Sequence, residues 1–370
     1  VPREGIDRIS LKLRGKTLQI DRKVTESWDY GQGGEVFTQR LYLASPGGTY
    51  LAYAHRASGA LRVRDARGHE RTIAGVFGRD VRFSPDERQL ATIRSPKGGG
   101  VQVTVMDMAT GALRDLGPIA GVTWLEWVAG GVVASHVDPE NQLPLITLFP
   151  LDGAPRQLAS GLGLDKRFTS ARRGSRVMYF VDKRVYLLDT SNPDAEPLLV
   201  GELPATVNNA EMAPDGVEAT IATGSGLYRA RGEEMQLELL SSDGSIHTVW
   251  YSDDGTQLAY ADESKAVVLA GEQRHVIETP DYDLTAMRFH HGGTGLVIAI
   301  GTKALLWQPD TNARKVLGVA GARRTMQGAE LYAGGTVLWS REVRVSRHDQ
   351  RTRGNIMPMH PQLNELSLAD

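Results

Sequence analysis

SPDERQLATI at residues 84–93 and SDDGTQLAYA at 252–261 are one device written twice: a polar turn rich in Ser, Pro, Asp and Gly, then an apolar run. Six further copies are SPGGTYLAYA (45–54), VAGGVVASH (128–136), ARRGSRVMYF (171–180), APDGVEATIA (213–222), HHGGTGLVIA (290–299) and YAGGTVLWS (332–340). The first apolar residues after the turns are Leu51, Leu90, Val132, Val177, Ala219, Leu258, Leu296 and Leu338, at steps of 39, 42, 45, 42, 39, 38 and 42 residues. A period of about 40 residues made only of strands specifies an all-β propeller, because a four-stranded blade cannot bury both faces until its neighbours stack on it.

Each unit can be completed beyond its hairpin. In the second, DVRFSP (80–85), RQLATI (88–93), VQVTVMD (101–107) and ALRDL (112–116) supply strands a to d, and the spacing of two puts Val101, Val103 and Val105 on one face. The sixth reads the same way through HTVWYS (247–252), QLAYAD (257–262), AVVLAG (266–271) and HVIETP (275–280). Strands b and c are often joined by tight hairpins, as at Asp182-Lys183 and Thr302-Lys303. The last unit offers GAELYA, VLWS and a third strand around Val343 and Val345 before a polar segment begins. ISLKL (9–13) and TLQI (17–20) alternate cleanly ahead of the first repeat, so an N-terminal strand is expected to complete the last blade and leave no open sheet edge. The expectation is eight four-stranded blades in one domain over 1–354, with closure strands in 1–24, repeats over about 41–350 and a polar tail at 355–370; seven blades is the alternative.

The turns Ser45-Pro46-Gly47-Gly48, Ser84-Pro85-Asp86, Ala213-Pro214-Asp215-Gly216 and Ser252-Asp253-Asp254-Gly255 resemble those of WD40-like and TolB-like propeller repeats. The Asp and turn that follow strand c in VRDARG (63–68), VMDMATG (105–111) and LLDTS (187–191) are also similar to WD40 repeats. The likeness spans about residues 41–350. The Gly-His and Trp-Asp pairs at the usual repeat ends are absent, and Trp28-Asp29 lies ahead of the first repeat. The resemblance implies binding or scaffolding.

The 370 residues include 41 Gly and 17 Pro, as a chain needs that turns about four times per blade. No apolar run reaches the roughly 18 residues of a membrane-spanning helix, so membrane insertion is not expected. The net charge of −2 gives no general attraction to nucleic acid. It divides unevenly: residues 1–24 carry seven basic against three acidic side chains, 341–353 five against two, and the remainder −9. The absence of cysteine excludes disulfides, thiolate metal sites and Cys nucleophiles. A Val at position 1 is read as a sign of processing, by signal-peptide removal or excision from a longer chain, with a periplasmic or secreted location favoured over the cytoplasm.

Chemical motifs are incomplete. Gly15-Lys16-Thr17 ends like a phosphate-binding loop, but Ser10 stands where its first Gly belongs and a strand follows instead of a helix. His69-Glu70 opens like a zinc-protease motif, with Ile73 in place of the second His, and no G-x-S-x-G occurs. DMATGALRDL (107–116) resembles a fragment of quinoprotein repeats but occurs once, and reads as a c-to-d turn. The nine His are scattered over the blades, and His290-His291 are adjacent and so diverge. No cofactor and no metal is expected.

The b-to-c connections SPKGGG (95–100) and DPENQLP (138–144) are long, and belong to the same rim as the d-to-a segments FGRD (77–80), LDKR (164–167), Asn208-Asn209 and Asp281-Tyr282-Asp283. This rim nominates Arg79, Lys97, Gly98, Asp138, Glu140, Asn141, Lys166 and Arg167 as partner-binding residues, and the basic ends add Arg344 and Arg347. The tryptophans of TWLEW (123–127) are expected in the core. The function expected is a non-catalytic platform that binds another protein, one with an acidic surface, within a complex. The alternatives are an enzyme with an axial pocket of lyase, lactonase or quinoprotein type, and a ligand- or glycan-sensing domain of a larger protein.

Overall fold

A computed structural model describes residues 3–13, 16–26, 42–55, 60–96, 99–121, 124–232, 235–244, 246–262, 264–278, 284–290, 295–319, 324–333, 335–342 and 364–369. Seven antiparallel four-stranded sheets follow one another along the chain, each a meander in the order a-b-c-d. Blade 1 is Tyr42–Ala44, Tyr50–His55, Ala60–Asp65 and Glu70–Ala74. Blade 2 is Val76–Phe83, Gln89–Arg94, Gln102–Asp107 and Leu113–Pro118, and blade 3 is Trp124–Val128, Gly131–Val137, Pro144–Pro150 and Arg156–Ser160. Blade 4 is Leu164–Ser170, Arg176–Val181, Arg184–Asp189 and Leu198–Glu202; blade 5 is Val207–Met212, Glu218–Thr223, Gly226–Arg231 and Gln236–Ser241. Blade 6 is Thr248–Tyr251, Gln257–Ala261, Lys265–Ala270 and Gln273–Glu278; blade 7 is Leu284–Phe289, Leu296–Ile300, Lys303–Gln308 and Ala313–Val319. Neighbouring blades meet through their a strands, which form the inner wall of a ring, while outer strands such as Leu113–Pro118 and Ala313–Val319 are largely exposed.

The core lies between blades. One cluster joins Leu61, Val63 and Ile73 of blade 1 to Val81, Phe83, Leu90 and Met106 of blade 2, and the next joins Ile93, Val103 and Val105 of blade 2 to Leu125, Trp127 and Phe149 of blade 3. Strand alternation in blade 2 thus serves two neighbours, and Val101, Val103 and Val105 share one face as their spacing requires. The repeat anchors of blades 1 to 7 are at most 4% exposed, and burial of each Leu or Val among them contributes about 1.5–3 kcal/mol, with less from Ala219. Hydrogen bonds one repeat apart lock the stack: Trp127 Nε1 donates to Arg82 O at 2.8 Å, Ser170 Oγ to Trp127 O at 2.9 Å, and Met212 N to Thr169 Oγ1 at 2.7 Å.

The a-to-b turns close by a shared rule. In blades 2 and 6 the serine hydroxyl (Ser84, Ser252) donates to the aspartate two residues on and accepts the backbone N–H of Gln89 or Gln257 at 2.9 Å. Gly216 in the matching turn of blade 5 adopts φ +81°, and a Cβ there would come within 2.8 Å of Ala171 in blade 4. Blade 1 has Gly47 where the aspartate belongs, and Glu87 of blade 2 reaches across instead. Its carboxylate accepts from Ser45 Oγ, from Gly47 N at 2.7 Å and from Thr49 Oγ1 at 2.5 Å.

Ring closure departs from expectation. Among the described residues seven four-stranded blades are complete, as in the seven-bladed alternative and not the eight expected, and a three-stranded sheet of Arg324–Tyr332, Gly335–Glu342 and Asn364–Ala369 stands between blades 7 and 1. It meets blade 7 at a cluster in which Leu331 packs against Val297, Ala299 and Ala304, and blade 1 through Ala333 N, which donates to Gly48 O. Its third strand comes from the segment read as a polar tail, with Leu366 and Leu368 opposite Trp339 and Val337. Val343 and Val345 lie outside the described residues. The N-terminal strands form a hairpin of their own, Arg3–Leu13 with Lys16–Glu26, whose first strand runs beside Asn364–Ala369. FGRD and LDKR both lie wholly on a strands, because bulges between Val76 and Val81 and between Leu164 and Phe168 absorb the extra residues. Asp281, Tyr282 and Asp283 lie outside the described residues, and the tight turn of blade 7 is Gly301-Thr302, since Ile300 pairs with Lys303.

Two outcomes follow from this architecture. Deleting residues 364–370 leaves Gly335–Glu342 as an open edge, so the truncated protein should self-associate with rising concentration in light scattering; a monodisperse monomer of unchanged melting temperature contradicts the closure. Burial alone would raise the pKa of Glu87, but the hydrogen bonds from Ser45, Thr49 and Gly47 outweigh it and hold the carboxyl below its usual range. The stability it adds is therefore present above the unfolded value and lost as pH falls through the folded one. Glu87→Ala should cost about 1–3 kcal/mol at pH 7, a penalty that narrows below about pH 4; a pH-independent penalty would assign Glu87 to packing.

Candidate functional site

The a strands run toward the rim of the a-to-b and c-to-d turns, opposite the rim of the long b-to-c loops. At the residue paired with the one after each strand-b anchor, register places Leu43, Arg82, Glu126, Thr169, Glu211, Trp250 and Arg288 in blades 1 to 7. Four of these seven are charged and one is Trp, on the innermost strands of the ring.

The four charged residues Arg82, Glu126, Glu211 and Arg288, together with Trp250, enter a lattice of ion pairs and stacked rings around the axis. The Arg82 guanidinium sits 5.4 Å over the Trp124 ring and its Nε lies 3.8 Å from Glu126 Oε1, which also accepts Trp124 Nε1 at 3.0 Å. Arg172, in the blade 4 turn, donates to Glu211 Oε1 at 3.1 Å and reaches to 3.9 Å of Asp253 in the blade 6 turn. Arg288 sits 5.4 Å over Trp250. Pro46, Arg172, Trp250, Tyr251, Asp253 and Arg288 line a shallow cavity at this mouth, drawn from blades 1, 4, 6 and 7. Below it the Tyr251 hydroxyl bonds Thr220 Oγ1 at 2.6 Å and Glu218 Oε1 at 2.7 Å. Burial pushes the Glu211 carboxyl up to about 7; Arg172 pulls it down and Glu126 pushes it further up, with smaller downward pulls from Arg82 and Arg288.

The residues nominated from sequence fall elsewhere. Asp138, Glu140 and Asn141 form a self-closed loop on the opposite rim: Glu140 N donates to Asp138 Oδ1 and Leu143 N to Asn141 Oδ1, each at 2.9 Å, and Glu140 and Asn141 are exposed. Arg167 donates to the carbonyls of Val207 and Asn208, strapping blade 4 to blade 5. Arg79 and Lys166 lie on a strands. Lys97, Gly98, Arg344 and Arg347 lie outside the described residues. Both tryptophans of TWLEW pack in the core as expected, Trp127 fully and Trp124 partly buried against the cluster of Val128 and Val133, while Trp124 Nε1 and Glu126 also join the axial lattice. Among the described residues no group of His, Asp or Glu is placed to hold a metal ion, and no helix is long and apolar enough to cross a membrane.

Solved structures with this architecture include Hsv2 of Kluyveromyces lactis, 12% identical over 74% of this chain and 96% of its own, with a TM-score of 0.51. The Cps50 (Swd1) propeller domain of Myceliophteria thermophila is 13% identical over 71% and 92%, at TM-score 0.50. The dihydro-heme d1 dehydrogenase NirN, in complex with DHE, is 13% identical over 89% and 75%, at TM-score 0.56. No family model matches the chain, and no curated protein does. The fold is a β-propeller of WD40-like repeats.

A carboxyl whose folded pKa lies above its unfolded value costs stability as pH rises between the two, here from about 4.5 to about 7. Glu211→Gln removes that cost while Asp253 remains beside Arg172. The variant's melting temperature relative to the parent should rise between pH 5 and pH 8, by the equivalent of roughly 1–3 kcal/mol. A relative melting temperature that falls over this range would mean that the ion pair with Arg172 outweighs burial.

Proposed function

We propose that this chain is a non-catalytic platform that binds another protein within a complex. The observation that carries the reading is the pairing at the axis: Arg82 is engaged with Glu126 and Trp124, and Arg172 with Glu211 and Asp253. Reacting carboxyls of an axial enzyme would need to face a substrate, whereas Glu126 and Glu211 are each turned onto an arginine and make a stiff floor that leaves guanidinium groups at the mouth. Partly exposed arginine stacked on tryptophan at a rim is the composition of interface hot spots. On the opposite rim the 138–144 loop is held by its own side chains, so a partner docking there loses little loop entropy. The proposed partner contacts on this rim are Lys97, Gly98, Asp138, Glu140 and Asn141, with Arg79, Lys166 and Arg167 as further candidates. Arg344 and Arg347 are proposed to attract an acidic partner surface, a contribution that salt would screen.

Shortening 138–144 to a two-residue turn should leave the melting temperature within a few degrees of the parent and remove the main partner in quantitative affinity capture. Capture unchanged by this variant and by Arg344→Glu with Arg347→Glu would overturn the assignment to this rim. A second reading, an axial-site enzyme, draws on Glu211 alone: a buried carboxyl held near neutrality beside a guanidinium has the properties of a general acid.

A further inference from the structure

The mouth of the axis on the a-to-b rim has chemistry that a platform role by itself does not require. Arg172 and Arg288 both line its cavity, with Trp250 beneath Arg288 and Pro46 forming an apolar wall. Arg172 makes one close contact, to Glu211 at 3.1 Å, and a loose one, to Asp253 at 3.9 Å. A loose pair at a rim leaves a guanidinium able to take a further carboxylate in its fork.

We propose that this mouth is a recognition pocket for an acidic side chain on an extended segment of the partner protein, its carboxylate held by Arg288 and Arg172 and its methylene stem by Trp250 and Pro46. The inference rests on the platform reading and names what one of its faces takes. Charge favours a carboxylate. The cavity lining carries two guanidiniums, Arg172 and Arg288, against one carboxylate, Asp253, and so is positive. The same carboxylate selects among anions, since Asp253 on the cavity wall repels a doubly charged phosphate more strongly than a singly charged carboxylate. Trp250 supplies flat apolar area beside the charge, as anchors at interface centres do.

The test is calorimetric titration of the full chain with four probes: acetyl-tetraglutamate amide, the tetraglutamine analogue, a phosphoserine tetrapeptide and glutarate. The glutamate peptide should bind at low salt at least tenfold more tightly than the other three. Arg288→Gln should lose at least tenfold, and Arg288→Lys, which keeps the charge but not the fork, should fall between. Arg114→Gln, on the outer strand of blade 2 where Arg114 meets Asp152, should change nothing. No binding of the glutamate peptide, equal binding to Arg288→Gln, or tighter binding of the phosphopeptide or of glutarate would overturn the proposal. Partner capture reads the platform separately: a partner still captured by Arg288→Gln while the peptide fails to bind the parent would sink the pocket and leave the platform standing.

Discussion

Every blade has two apolar faces and can cover neither by itself, and this constraint organises the whole molecule. Leu90 of blade 2 is buried against blade 1, while Ile93 on the same strand is buried against blade 3. Stability is therefore shared around the ring, and a gap at any station would expose two faces together with a sheet edge. Hydrogen bonds such as Trp127 to Arg82 and Met212 to Thr169 fix the relative height of adjacent blades, so packing and register reinforce each other. Glu87 shows how strictly the turns are satisfied: where blade 1 lacks its own aspartate, a residue of the next blade supplies the carboxylate.

Closure has a chemical consequence at the axis. Strand a of each blade is pressed against its neighbours, and one position of its alternation brings Arg82, Glu126, Glu211, Trp250 and Arg288 onto a common circle. Charges crowded there must be paired or neutralised, because an unpaired buried ion costs several kcal/mol. The lattice meets that demand by ion pairing, by stacking on Trp124 and Trp250, and by holding Glu211 toward its neutral form. At the centre this leaves little freedom, and at the rim it leaves guanidinium and aromatic groups facing a small cavity. Structural necessity inside and recognition at the mouth are two ends of one arrangement.

The repeat was legible because turn chemistry and a period-two apolar pattern recur at a fixed spacing, and the strands of blade 6 and strands b to d of blade 2 lie within two residues of where that pattern puts them. The third strand of the closing sheet was not, although GAELY and VLWS lie in its first two strands. NELSLA has only Leu366 and Leu368 in alternation, follows a long polar stretch, and gains its meaning from pairing with Trp339 and Val337. The bulged a strands were mistaken for loops, since Gly78, Arg79 and Asp80 interrupt the alternation that a bulge then restores. The axial lattice was hidden for a different reason. Its strand-a members Arg82, Glu126, Glu211, Trp250 and Arg288 are single residues from five repeats, and only the register between strands a and b shows that they are equivalent. A signal was present in retrospect: Arg82, Glu126, Glu211 and Arg288 are charged residues set between apolar neighbours on the innermost strand. Arg167 carried no signal that distinguished a strap between blades from a surface contact; its reach to Val207 and Asn208 exists only once the ring is built.

Hydrogen exchange of the intact protein tests the closed ring most directly, comparing Leu296–Ile300 of blade 7, Gly335–Glu342 of the closing sheet and Tyr50–His55 of blade 1. If the ring is one cooperative structure, amides in all three strands should open with the same free energy and should lose protection together as denaturant is added. Exchange of Gly335–Glu342 several orders of magnitude faster than the strands on either side, with those strands still protected, would contradict closure by this sheet.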